Sequence, residues 1–158
     1  MIVSILILVF STGLLFFYLQ TVCERILRHS FRRTYFRSIV DANRLEFPSV
    51  RKTVEELGEP VDYAQVRLTI KCDFLALTYL LKNAANARQR YTRQELLLVA
   101  YFRAVYASLL LRHWLKLAER PAVLKLTTIL EWFANVVGQR VAYVRFGNLS
   151  ASDYLVNL

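Results

Sequence analysis

Little in this chain can turn sharply, cross-link or titrate near neutral pH. Its 158 residues include four glycines, three prolines, two cysteines and two histidines. Such scarcity of glycine and proline leaves no material for a turn-rich β fold or a long disordered linker. All four glycines stand alone, which excludes a glycine-rich phosphate cradle. Cys23 and Cys72 are isolated, so they form neither a metal-ligand spacing nor a disulfide framework. His29 and His113 belong to different segments, and no serine occupies a nucleophile elbow. These absences point away from an enzyme, and no cofactor, metal or small-molecule substrate is expected.

Acidic residues are scarce too, with 12 Asp and Glu against 21 Lys and Arg and a formal net charge of +9. An excess of this kind suits nucleic acid, anionic lipid or an acidic partner, and its distribution decides between them. Arg25, Arg28, Arg32, Arg33 and Arg37 form a collar. Arg88, Arg90 and Arg93 form a second cluster, and Arg112, Lys116 and Arg120 a third. A DNA reader more often gathers charge on one recognition helix after a short helix-turn-helix. The alternative reading is a membrane-tethered protein that binds nucleic acid or anionic lipid through its arginine clusters, with nucleic acid the less expected of the two ligands.

What the chain has in quantity is apolar sequence, 56% of its residues. The run Ile2–Leu19 carries no charge. At about 1.5 Å per residue a helix of roughly 18–22 residues crosses a hydrocarbon core about 30 Å thick. The arginine collar follows the run directly. By the positive-inside rule this places the amino terminus outside an inner or plasma membrane and the remainder in the cytoplasm. Phe16, Phe17 and Tyr18 close the run where a signal peptidase needs small residues, so an uncleaved single-pass anchor is expected. Ser4, Ser11, Thr12 and Gly13 are small enough to admit a second transmembrane helix.

The expected fold is all-α. Residues 1–21 form the anchor, 22–47 a juxtamembrane basic amphipathic helix, 48–145 a cytoplasmic antiparallel bundle and 146–158 an apolar docking tail. Within 22–47, apolar residues alternate with arginines on different faces, which suits the headgroup level. Pro48 opens a short helix that Gly58 can close. From Val61 to Ala87, Tyr63, Val66, Ile70, Phe74, Leu77, Leu81 and Ala84 step by three and four. Leu68, Leu75 and Tyr79 widen that stripe and call for more than one neighbour. Thr92 and Glu95 have capping-box spacing before a helix from Arg93 to Ala118. Its expected stripe is Leu97, Tyr101, Ala104, Ser108, Leu111, Leu115 and Ala118, and the small residues Ala104, Ser108 and Ala118 would let a neighbouring helix approach closely. Pro121 starts a final helix with Gly138 at its expected end, although its period could run on to Val144.

Leu96–Leu111 is nearly apolar all round, which raises a second span or a pore-forming segment. Basic residues at both of its flanks argue instead for the middle of a bundle. Asp62, Asp73 and Glu131 lie beside apolar stripes, where pairing with Arg67, Arg103 or Lys125 would account for them. His113 is expected in a capping or solvent role. The functional expectation is a non-enzymatic accessory or scaffold subunit whose partners are other membrane-protein subunits and anionic lipid headgroups. The collar arginines would contact lipid or a partner, and Tyr35, Phe36, Leu155, Val156 and Leu158 would dock a partner.

Overall fold

In a computed structural model, residues 2–28, 31, 34–56, 62–83 and 91–156 are described, with side chains from residue 3 through residue 142. Among them are six helices and no strand: α1 Ile2–Leu27, α2 Phe36–Asn43, α3 Phe47–Glu56, α4 Tyr63–Asn83, α5 Arg93–Trp114 and α6 Arg120–Val156.

The architecture is organised around α6, which contacts all five other helices. Its sequence explains why. Val123, Leu126, Ile129, Leu130, Phe133, Ala134 and Val137 are all buried, covering more than one side of the helix. A helix apolar around most of its girth needs neighbours on several sides. On α4 the buried residues Val66, Ile70, Phe74, Leu77 and Leu81 follow the expected stripe, with Ala84 outside the described residues. Consecutive helices α4 and α5 are not close backbone neighbours. Both pack on α6, and they meet through the stacked rings of Phe74 and Phe102, 3.8 Å apart.

Two features of α6 differ from expectation. Gly138 does not end it, and the helix runs on to Val156 through the region assigned to a separate tail. Gly138 instead allows a close approach: a Cβ there would overlap the Cβ of Tyr35 and lie 3.3 Å from Ile39 Cγ1.

The segment expected to form one juxtamembrane helix, residues 22–47, is not a continuous helix. α1 stops at Leu27, Phe31 and residues 34–35 are non-helical, and α2 begins at Phe36. Side chains from the core impose this break. Phe31 packs against Trp132, with ring centroids 6.0 Å apart. Asn135 Oδ1, buried on α6, accepts the N–H groups of Tyr35 and Phe36, both at 3.0 Å. It thereby caps α2 from a hundred residues away. Arg44 then turns the chain in the left-handed region with φ 51° before α3 begins at Phe47, with Pro48 in its first turn.

α3 is capped in the same fashion. Asp73, buried on α4, accepts the N–H of Glu46 at 3.0 Å and of Phe47 at 2.7 Å through Oδ2. The first N–H groups of a helix have no partner within it, so each short helix takes its cap from a long one. Burial pushes the Asp73 carboxyl above its ordinary range, against the opposing pull of those two N–H bonds.

The Thr92–Glu95 capping box is present at the start of α5. Glu95 is buried and also pairs with Arg140 of α6 at 2.6 Å, while the other Arg140 nitrogen donates to Leu81 O at 2.9 Å. One guanidinium thus joins the end of α4, the start of α5 and the middle of α6.

Candidate functional site

The carboxyl-terminal third of α1 is built into the domain, whereas the described residues leave most of its remainder uncovered. Cys23 is fully buried, with Sγ 3.8 Å from Leu97 O on α5. Glu24 Oε1 receives Lys125 of α6 at 3.2 Å and the amide of Gln20 at 3.0 Å. From Val3 to Tyr18, by contrast, every large apolar side chain is 56–73% exposed. Thr12 returns its hydroxyl to Leu8 O at 2.7 Å, which satisfies it within the helix. α1 is long and apolar enough to cross a membrane.

α5 passes the same test of length and hydropathy. Its Leu98, Tyr101, Phe102, Val105 and Leu109 are nonetheless buried in the domain core. The buried stripe on α5 is displaced by about one position from the expected one. Of the expected members only Tyr101 is buried, whereas Leu97, Ser108, Leu111 and Leu115 are exposed. Ala104 and Ser108 line a groove of about 290 Å³ that α5 and α6 form with Phe16, Leu19 and Gln20 of α1. Ala104 and Ser108 thus face a neighbouring helix, α1. A second groove, about 300 Å³, continues past Tyr101 and Lys125 to Glu24, Leu27 and Arg28.

A separate apolar surface lies on α4. Leu68, Leu75 and Tyr79 are exposed, and Cys72 lies between them on the same side. Spacings of four, three and four put these residues on one stripe, directed away from α6. No helix of the described residues covers it.

Several polar side chains singled out in the sequence pair within the domain. Glu131 pairs with Arg51 of α3 at 2.9 Å, not with Lys125. Hydrogen bonding to Glu55, followed by attraction to Glu131, raises the Arg51 guanidinium further. Asp62 Oδ1 accepts from Ala64 N at 3.0 Å. His113 Nδ1 lies 2.7 Å from Glu119 Oε1, joining the end of α5 to the residue before α6. Among the described residues no group of three or more His, Cys, Asp or Glu converges on one point.

The expected contact residues fall into distinct places. Ser4, Ser11, Thr12 and Gly13 all lie on the uncovered part of α1, and nothing lies within 4 Å of a Cβ added at Gly13. Arg25, Arg28 and Arg37 are exposed, and Arg32 and Arg33 lie outside the described residues. Tyr35 and Phe36 face inward: Tyr35 abuts Gly138, and Phe36 meets Phe47 edge-on at 5.7 Å. Leu158 lies outside the described residues, as do the side chains of Leu155 and Val156. The inward roles of Asn135 and Arg140 have little local signature: Asn135 is a polar residue set among buried apolar neighbours on α6, and Arg140 lies between the exposed Gln139 and Val141.

Comparison with protein-family models, with curated proteins and with solved structures found no match.

Proposed function

We propose that this chain is a non-enzymatic, membrane-anchored accessory or scaffold subunit of a larger membrane-protein complex. In this reading α1 crosses an inner or plasma membrane once, with its amino terminus outside and the helical domain in the cytoplasm. The arginines that follow the span supply the orientation signal and contact anionic headgroups or a partner. The observation that carries the reading is the uncovered α4 stripe of Leu68, Cys72, Leu75 and Tyr79. A continuous apolar stripe of this kind marks an interaction surface, and anchors at this spacing fit a partner helix.

The two cysteines make the test specific, because Cys72 is exposed and Cys23 is buried. A bifunctional thiol reagent applied to native membranes should give one defined adduct that Cys72→Ser abolishes. Purification in mild detergent should recover a stoichiometric complex, and Leu75→Glu with Tyr79→Glu should dissolve it while helix content stays unchanged. Recovery of the native chain as a lone monomer without an adduct would refute the proposal. Gly13→Leu tests whether the span itself takes part, through loss or retention of the same complex.

A further inference from the structure

The register of α1 against α5 fixes which end of the domain faces the span. Cys23 meets Leu97, whereas Phe16, Leu19 and Gln20 share a groove with Ala104, Ser108 and Arg112. Numbers fall along α1 as they rise along α5, so the two helices are antiparallel. The carboxyl end of α5 and the turn into α6 therefore lie at the end from which the uncovered part of α1 projects.

That turn is both apolar and rigid. Leu111, Leu115 and Leu117 are exposed, and Trp114 is 90% exposed. Lys116 occupies the left-handed region with φ 53°. Its N–H donates to His113 O at 3.2 Å, and the N–H of Leu117 donates to Arg112 O at 2.8 Å. This pair of bonds is the Schellman closure, which is usually built on glycine. The Arg112 guanidinium adds a bond to Ala118 O at 3.0 Å. The apolar side chains are thus held outward on a fixed knob, not on a frayed helix end.

We infer that this knob is a membrane foot. Leu111, Trp114, Leu115 and Leu117 enter the headgroup–acyl boundary of the bilayer that α1 crosses, and Arg112 and Lys116 meet lipid phosphates. The inference rests on the reading of α1 as a span. Tryptophan favours that boundary because its ring is apolar and its N–H is polar. Arg and Lys there keep their stems in the apolar layer and their charges at the phosphates. A bilayer is the occupant favoured over a protein because the knob lies at the span's end of the domain and couples exposed apolar groups to positive charge. The domain would then stand on two supports, α1 and the α5–α6 turn, with a fixed tilt.

The chain has two tryptophans, and Trp132 is only 7% exposed, so Trp114 is the natural reporter. The test is the emission of the full chain in phosphatidylcholine–phosphatidylglycerol vesicles whose acyl chains carry bromine near the headgroup. Native protein should show blue-shifted emission and a loss of intensity on bromination. Trp114→Phe should abolish that loss and leave the Trp132 emission. Trp114 emission at the wavelength of aqueous indole, insensitive to bromine in protein that still floats with the vesicles, overturns the foot while the anchor stands. A knob docked on a protein would give that same result with lipid alone. Failure of the native chain to float with the vesicles overturns both readings.

Discussion

The carboxylate of Asp73, in the middle of α4, accepts the N–H of Phe47, the first residue of α3, at 2.7 Å. The same oxygen takes the N–H of Glu46 at 3.0 Å, so one side chain holds the start of a neighbouring helix. Asp73→Ala should leave the buried Phe47 N–H without a partner, at a cost of about 1–3 kcal/mol. Thermal unfolding in detergent, followed by circular dichroism, measures it.

Asp73 also makes stability depend on pH with a definite sign. Burial raises its folded-state carboxyl above the ordinary value of 3.8. In the interval between the two values the folded chain keeps a proton that the unfolded chain has lost. The contribution of Asp73 is therefore complete below 3.8 and is lost as pH rises through the folded value. Asp73→Asn keeps an acceptor for both N–H groups and does not titrate. The variant should lack this part of the fall in melting temperature on raising the pH from about 3 into the neutral range. An identical pH dependence in both proteins would show that Asp73 carries no burial penalty.

The pair of half-buried Arg140 with buried Glu95 gives a prediction of a different kind. Removal of one member strands the other charge, and for buried pairs this costs about 3–5 kcal/mol. Arg140→Met should destabilise the fold on that scale, with the further loss of the bond to Leu81 O. Adding Glu95→Gln should restore part of it, because Gln can still reach back to the Thr92 N–H while bringing no charge. A double-mutant cycle by denaturant titration separates the two contributions. Additive losses would mean that the pair is not coupled.

How far the fold could be read in the sequence depended on how one-sided each helix is. α4 has one buried stripe, and Val66, Ile70, Phe74, Leu77 and Leu81 announce it. α5 is apolar on nearly every side, so its period identifies a helix without choosing the face. Leu98, Phe102, Val105 and Leu109 face the core, and the stripe through Ala104 and Ser108 faces α1. The break after Leu27 was hidden for another reason. Its causes are Trp132 and Asn135, about a hundred positions along the chain, and no local pattern records a cap supplied from that distance. The candidate surfaces were partly legible. Leu68, Leu75 and Tyr79 stood out as surplus apolar residues, but only the three-dimensional arrangement shows that no described residue covers them.

Gly138 offers the sharpest separation of local from tertiary preference. In an exposed helix interior Gly→Ala stabilises by roughly 0.5–1 kcal/mol, because glycine loses more backbone freedom on folding. Here an added Cβ overlaps the Cβ of Tyr35 and comes within 2.9 Å of its Cγ. The neighbour is the stem of a side chain at the start of α2, not a flexible tip. Gly138→Ala should therefore destabilise, by about 1–3 kcal/mol as overpacking does, and push α2 away from α6. The second-site response identifies the cause. Tyr35→Ala retains the colliding Cβ and should not relieve the strain, whereas Tyr35→Gly removes it and should recover part of the lost stability. Melting temperatures of the two double variants decide the matter, and equal rescue by both would assign the effect to the tyrosine ring instead of the backbone approach.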